Sequence, residues 1–182
     1  MREQRLRWLL AALLWALAWP GCAADLWDEL GPAKIGATRA EIAGQMSMAC
    51  GAPGNEQVCA AGAGTGAIFA GLPAGAVELR FTQERLVRVA VRLSEQHYPA
   101  LLAFLGTQFG ASDDRTFRAR GGMGAMEFEA GVHLWEHDGV SLILEQFAGK
   151  IDRSVLTYGS AAAMADLVRS KTSYPRGARR DL

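Results

Sequence analysis

Two histidines and a glutamate lie close together in the chain, at His133, Glu136 and His137. On a helix, histidines four residues apart share one face, and with an acid nearby they could bind zinc. The Asp138-Gly139 pair that follows is instead typical of a two-residue hairpin turn, which predicts a strand. Four strand residues span about 13 Å, whereas both ring nitrogens of a zinc site lie about 2 Å from the metal. The pattern favours packing over metal binding and leaves a role for His133 and His137 open.

Side chains suited to nucleophilic or acid-base catalysis form no recognisable set. The chain has no Gly-x-Ser-x-Gly segment, and its glycine-rich stretch around Gly64 lacks the Gly-Lys-Ser/Thr of a phosphate-binding loop. Acidic residues such as Glu127 and Glu129 are spread along predicted strands, so no acid-base pair is indicated. We therefore nominate no catalytic residue, no metal ligand and no cofactor, and an uncharacterised hydrolase stays as a second alternative function.

The cysteines carry the clearest covalent chemistry. Cys50 and Cys59 are separated by a segment with Gly51, Pro53 and Gly54, which turns the chain. In an oxidising compartment such a pair most simply forms a disulfide, which would stabilise the fold by roughly 2 to 3 kcal/mol. A redox-active or metal-binding pair is the alternative, but the spacing is not Cys-x-x-Cys and no histidine lies nearby.

The N-terminus has the features of an export signal. Arg2, Arg5 and Arg7 precede an apolar run from Trp8 to Trp19, which small residues follow up to Ala24. As a helix, this run would reach only about 18 Å, well short of the roughly 30 Å hydrocarbon core of a bilayer. We predict that residues 1–24 are a cleaved signal peptide and that the protein is periplasmic or secreted, with no transmembrane span after processing.

Cys22 offers a second processing route. A bacterial lipoprotein signal ends at a cysteine that is acylated, and Gly21 fits that pattern. Trp19 stands three positions before Cys22, where an aliphatic residue is usual. An outer-membrane lipoprotein is therefore the minority alternative to a soluble exported protein.

Composition limits the partners. The chain has 182 residues, 19 basic and 19 acidic residues, and 50% hydrophobic residues. This balance gives no bulk electrostatic basis for binding nucleic acid, and the apolar fraction predicts an ordered body. Removing the signal takes away three Arg and one Glu and leaves the remainder slightly acidic.

Alternating residues between Ala76 and Leu93 give the strongest fold signal. Apolar and polar positions alternate on both sides of a polar turn at Gln83-Glu84, which predicts an antiparallel hairpin with one buried face. Arg80, Arg88 and Arg92 then share the exposed face as a basic stripe. Arginines in such a stripe are commonly just exposed to solvent and keep the sheet from aggregating. Alternatively, the stripe is a surface that binds a partner.

Three helices and further strands complete the prediction. Thr38 and Glu41 form a capping box for a helix to about Met48, and residues 51–66 are expected to be a loop. Ser94 is expected to cap an amphipathic helix that ends at Gly110, and Ser160 to cap a final helix. Strands are expected over Asp113 to Arg120 and Met126 to Glu129, on either side of a glycine-rich turn, and over Val132 to Phe147 and Arg153 to Tyr158. The Asp138-Gly139 turn divides Val132 to Phe147 into a hairpin with His137 opposite Val140, Trp135 opposite Leu142 and His133 opposite Leu144.

Together these elements predict an α+β protein with helices packed on one face of an antiparallel sheet, with two tandem helix-plus-sheet units as one arrangement. We expect a single exported domain over residues 25–171 and a disordered basic tail over residues 172–182.

The stretch Ile35-Gly36-Ala37-Thr38-Arg39-Ala40-Glu41-Ile42 resembles the start of BamE/SmpA-type small exported proteins. In that family an Ile-x-x-Gly-Met-Thr-like segment opens a helix before an antiparallel sheet, and Ala37 stands at the typical Met position. The resemblance implies tandem helix-plus-sheet units, as in β-lactamase-inhibitor-like proteins, and a place in outer-membrane assembly.

The leading functional prediction is a non-enzymatic periplasmic binding or interaction protein. Its expected partner is an envelope protein or a small ligand, and not nucleic acid. A lipid-anchored envelope-assembly component is the first alternative.

Overall fold

The structure is a computed structural model that describes residues 33–52, 54–61, 68–69, 71–121, 126–173, 177 and 179–181. Residues 1–24, and Cys22 with them, lie outside the described part. The helices are α1 (Arg39–Ala43), α2 (Tyr98–Phe109) and α3 (Ala161–Thr172), and a short 3₁₀ helix covers Glu95–His97. The strands are β1 (Met48–Cys50), β2 (Glu56–Ala61), β3 (Ile68–Phe69), β4 (Leu72–Pro73), β5 (Ala76–Thr82), β6 (Arg85–Ser94), β7 (Asp113–Asp114), β8 (Phe117–Gly121), β9 (Met126–Ala130), β10 (Val132–His137), β11 (Val140–Glu145), β12 (Arg153–Ser160) and β13 (Arg179–Asp181).

One large antiparallel sheet dominates the molecule. Its eight strands run in the order β1-β2-β5-β6-β12-β11-β10-β7, and the two halves of the chain join where β6 pairs with β12. A three-stranded sheet (β13-β8-β9) and a two-stranded sheet (β3-β4) accompany it. The predicted α+β class is therefore wrong, because the structure is mostly β with few, short helices. The chain forms one continuous main sheet rather than two separate helix-plus-sheet units.

The loop expected over residues 51–66 contains the strand that most changes the fold class. β2 alternates buried Gln57, Cys59 and Ala61 with exposed neighbours and pairs along its whole length with β5. The weak apolar character of these residues hides the alternation in the sequence. Pairing with a distant strand supplies the backbone hydrogen bonds that make the segment a strand.

The two predicted hairpins are confirmed because their turns are encoded locally. Gln83 and Glu84 both have positive φ, as do Asp138 and Gly139, and this backbone matches the twist of the flanking strands. The β10–β11 register has the three predicted pairs of His137, Trp135 and His133.

Helix boundaries follow their capping residues with two exceptions. Thr38 and Glu41 form the predicted capping box, and Ser160 accepts a hydrogen bond from the Ala163 backbone to cap α3. α1 nevertheless ends at Ala43 instead of near Met48, because Met48 is already in β1. Ser94 precedes the 3₁₀ helix rather than α2 and makes no side-chain capping bond.

The main core lies on one face of the sheet, under α2. Leu101 and Leu105 of α2 are fully buried against sheet residues such as Leu79 and Leu156. Each buried leucine of this kind contributes about 1.5 to 3 kcal/mol of transfer free energy. The predicted apolar stripe of α2 is therefore core.

A second, smaller core lies on the opposite face and covers only half of the sheet. Met164 of α3 packs there with Leu134 and Ile143 of the main sheet and with Phe117 and Ala119 of β8. Helices thus occupy both faces of the main sheet, and the prediction that they pack on one face is wrong.

The C-terminal segment expected as a basic tail contributes backbone pairing. β13 runs parallel to β8, with Arg179 opposite Arg118 and Asp181 opposite Arg120. In the described part of the chain, no helix is both long enough and apolar enough to cross a membrane.

Candidate functional site: the open face of the sheet

The main candidate surface is on the face of the main sheet that carries α3, in the half that the second core leaves uncovered. Strand register places Val58, Ala60, Glu78, Arg80, Arg88, Ala90 and Arg92 on this face, on the neighbouring strands β2, β5 and β6. We call this set of residues, together with Glu56, the open face. Val58 is 39% exposed, and in the described part of the chain only Val58 and Ile151 are large apolar residues with exposed side chains.

A β-bulge decides which arginines meet. The turn at Gln83-Glu84 pairs Phe81 with Leu86, and the register then shifts, so that Arg80 pairs with Arg88. Without that extra residue, Arg80 would oppose Val87 and Arg88 would point toward the core. The structure therefore brings two of the three predicted stripe residues directly opposite one another.

Arg92 lies on the same face but apart from this pair. It is exposed, opposite Ala76 on β5 and Val155 on β12. It lies four positions after Arg88, a distance of about 13 Å along β6. The predicted stripe is thus a pair of arginines and one separate cation.

Arg80 is held by two acids. Its Nη1 donates to Glu56 Oε1 at 2.5 Å, and its Nη2 lies 3.9 Å from Glu78 Oε1. Its Nε is buried and has no hydrogen-bond partner among the residues that the structure describes. The guanidinium is therefore fixed in place while one of its donors stays unsatisfied.

Arg88 has a different environment. It is half-buried, and within the described ranges it makes no ion pair or side-chain hydrogen bond. The pKa of Arg88 is lowered, mainly by burial and to a smaller extent by the neighbouring charge of Arg80. Glu78 and Glu56 act in the opposite direction and only partly offset this shift. Arg88 is a cation whose local surroundings do not neutralise it.

The predicted disulfide is present between β1 and β2. The Sγ atoms of Cys50 and Cys59 are 2.00 Å apart, and the two residues are direct cross-strand partners. Cys59 is fully buried and Cys50 is exposed. Cys50 also lines a surface groove of about 620 Å³ between α1 and β1, together with Met46 and Met48.

The two histidines of the suggestive motif have separate surroundings. His133 is buried beside Ser112 and Asp114, whereas His137 lies near Asp138 and makes an edge contact with Phe109. Among the residues that the structure describes, no group of three or more His, Cys, Asp or Glu side chains is placed to hold a metal.

His133 contacts Ser112 and Asp114, a grouping of catalytic residue types that the sequence does not predict. Ser112 Oγ lies 3.0 Å from His133 Nδ1, and Asp114 Oδ1 lies 3.9 Å from the same nitrogen. A catalytic triad needs the serine and the acid on opposite ring nitrogens. In the sequence, Ser112 and Asp114 are marked only by their place just after the end of α2. The geometry of the three side chains suits packing rather than acyl transfer.

No protein family, curated protein sequence or solved structure gives a match to this chain.

Proposed function

We propose that this protein is an exported, non-enzymatic binding protein of the bacterial envelope and that the open face is the surface that receives its partner. The observation that carries the proposal is the direct opposition of Arg80 and Arg88 on an uncovered part of the sheet. Like charges directly opposite each other in a sheet destabilise it, so the pair is a cost to the isolated protein. A partner that neutralises the pair would remove this cost.

An open sheet face alone is an ordinary feature of antiparallel sheets. Two further properties support binding here. Val58 presents an exposed apolar side chain on the strand next to Arg80, and Arg88 is half-buried without an ion-pair partner in the described part of the chain. Arginine beside apolar surface is the composition that anchors many protein interfaces.

Site-specific photo-crosslinking in cells tests the surface. A photoreactive residue at position 58 should form a discrete adduct with an envelope protein, and the same residue at position 151 should not. Ile151 is a suitable control because it is also apolar and is 72% exposed, but it lies outside the open face. Adducts of equal yield at the two positions, or none at position 58, would contradict the proposal.

A charge-neutralised variant tests the arginines. Arg80→Gln, Arg88→Gln and Arg92→Gln combined should reduce the adduct at position 58 at least tenfold, because the open face loses its cations. The matched control removes three exposed charges elsewhere, with Arg118→Gln, Arg120→Gln and Lys150→Gln, and should retain the adduct. An undiminished adduct in the first variant would show that the arginines are not involved.

The alternative is a lipid-anchored component of envelope assembly, favoured by Cys22 directly after Gly21. Mass spectrometry of the protein isolated from membranes and periplasm distinguishes the two forms. A chain that begins at Asp25 supports the soluble form, and an acylated Cys22 at the first position supports the anchored form.

A further inference from the structure

We propose that Arg80 and Arg88 form a seat for one carboxylate and that the partner supplies it from an aspartate or glutamate side chain in an acidic peptide segment. This inference rests on the proposed function and specifies the chemistry of the partner.

The terminal nitrogens of Arg80 contact acidic neighbours in the protein, and its Nε is the donor left for a ligand. Glu56 and Glu78 face its two terminal nitrogens, whereas no described residue supplies an acceptor to Nε. Because Nε is covered by surrounding atoms, a ligand reaches it only after a neighbouring side chain swings aside. Arg88 is the direct cross-strand neighbour of Arg80, and in the described part of the chain no ion pair or hydrogen bond holds its side chain.

The strand on the other side of β6 comes unusually close to Arg88. Gly159 of β12 is the residue opposite Arg88, and a Cβ at this position would lie 2.5 Å from the Val87 carbonyl oxygen and 3.2 Å from Arg88 Cβ. Because position 159 has no side chain, the β12 residue opposite Arg88 offers its guanidinium no side-chain acceptor. An incoming anion therefore does not have to displace a side-chain acceptor on β12 to reach the Arg88 guanidinium.

The local charge selects a singly charged anion. Glu56 and Glu78 both lie at Arg80, which leaves the positive charge of Arg88 without an ion-pair partner in the described part of the chain. One carboxylate neutralises this charge, and its two oxygens can accept from two guanidinium groups at once. A phosphate dianion would overcompensate it and would lie close to Glu56 and Glu78.

Val58 indicates what accompanies the carboxylate. It is the β2 residue directly opposite Arg80, on the side away from Arg88, and it is exposed. A peptide that places its acid between the arginines would therefore place an adjacent apolar side chain on Val58. The best probe is a short peptide with one aspartate between valines.

An NMR titration on the whole exported chain, with 1H–15N signals from arginine side chains, tests the seat directly. The probe is acetyl-Ala-Val-Asp-Val-Ala-amide, and its control has asparagine in place of aspartate. The aspartate peptide should shift the Nε signals of Arg80 and Arg88 and should bind roughly tenfold more tightly than the asparagine peptide. Absence of a shift at Arg88, or equal shifts with both peptides, would overturn the inference.

Two single variants locate the seat on the sheet. Arg88→Gln should weaken binding of the aspartate peptide roughly tenfold, and Arg92→Gln, on the same strand and face, should change it less than twofold. Arg88→Gln should fold at least as stably as the parent chain, since it removes a like-charge neighbour of Arg80. Equal losses of affinity in the two variants would show that the peptide is attracted by the overall charge and not by a defined site. Tighter binding of inorganic phosphate than of the aspartate peptide would show that the two arginines bind phosphate instead of a carboxylate.

Photo-crosslinking separates this inference from the proposed function. If Arg88→Gln retains the full adduct at position 58 while the triple variant loses it, the open face binds its partner without this seat. If the parent chain forms no adduct at position 58, the proposed function itself fails.

Discussion

His133 shows how a single side chain is given its properties by the fold. It is buried, tilted against the rings of Tyr98 and Trp135, and in contact with Ser112 through Nδ1. Burial lowers the pKa of His133, and the carboxylate of Asp114 opposes this shift only in part. Its neutral form is therefore the one that the folded state prefers, and the protein should lose stability when this histidine is protonated.

We predict that the free energy of unfolding falls as the pH is lowered below 6.5, the ordinary pKa of histidine. In this range the unfolded chain binds a proton that folded His133 resists, so the decrease continues until the pH passes the lower pKa of the folded state. Urea denaturation at pH values between 7.5 and 5 measures the slope. His133→Gln should flatten it, whereas His137→Gln, which replaces an exposed histidine, should keep it. The same slope in both variants would assign the effect to other groups.

At the scale of elements, the β1–β2 hairpin depends on its disulfide. β1 has three residues and lies at the edge of the main sheet, so its backbone bonds to β2 are few. The disulfide joins two directly paired positions and places the Cys59 side chain in the core. A short edge strand of this kind gains little from hydrogen bonding alone and needs the covalent link.

Removing this link should cost about 2 to 3 kcal/mol, because the unfolded chain regains the entropy of a closed loop with a sequence separation of 9. Cys50→Ala combined with Cys59→Ala, measured by urea denaturation, tests this value. The parent chain under reducing conditions is the control for the small cavity that alanine leaves at position 59. If the oxidised and reduced parent chains unfold at the same urea concentration, the disulfide does not stabilise the fold.

At the scale of the whole molecule, the junction of β6 with β12 makes the two halves of the chain a single folding unit. Residues from both halves share the main core, with Leu79 and Val89 from one half and Leu144 and Leu156 from the other. Gly159 lies in this junction, where the bulged β6 backbone comes so close that a Cβ would meet the Val87 carbonyl at 2.5 Å. Since that atom is backbone, relief would require the two strands to separate locally.

Gly159→Ala should therefore destabilise the protein by about 2 to 4 kcal/mol. It should lower the protection of backbone amides against hydrogen exchange in both halves of the chain by the same amount. Gly106→Ala is the matched control, because position 106 lies in α2 with open space around it, and it should stabilise by about 0.5 to 1 kcal/mol. Hydrogen exchange of amides in β5 and β11 gives the opening free energy of each half. A loss confined to one half would contradict a single unit.

The sequence by itself determined the features that neighbouring residues encode. The turns at Gln83-Glu84 and Asp138-Gly139, the Thr38–Glu41 capping box and the period-two alternation depend on interactions within a few residues, and these predictions are confirmed. The helix α2 and its end at Gly110 belong to the same class. Local backbone preferences and short-range hydrogen bonds are sufficient to specify them.

Only the tertiary structure decided the fold class and the arrangement of the candidate site. β2 is a strand because β5 pairs with it, and α3 lies on the opposite face from α2 because a second core forms there. The meeting of Arg80 and Arg88 depends on a bulge of one residue, which reverses the side on which every following residue points. Pairing between distant segments leaves no local signal, and the energy that selects it exists only once the sheet is assembled.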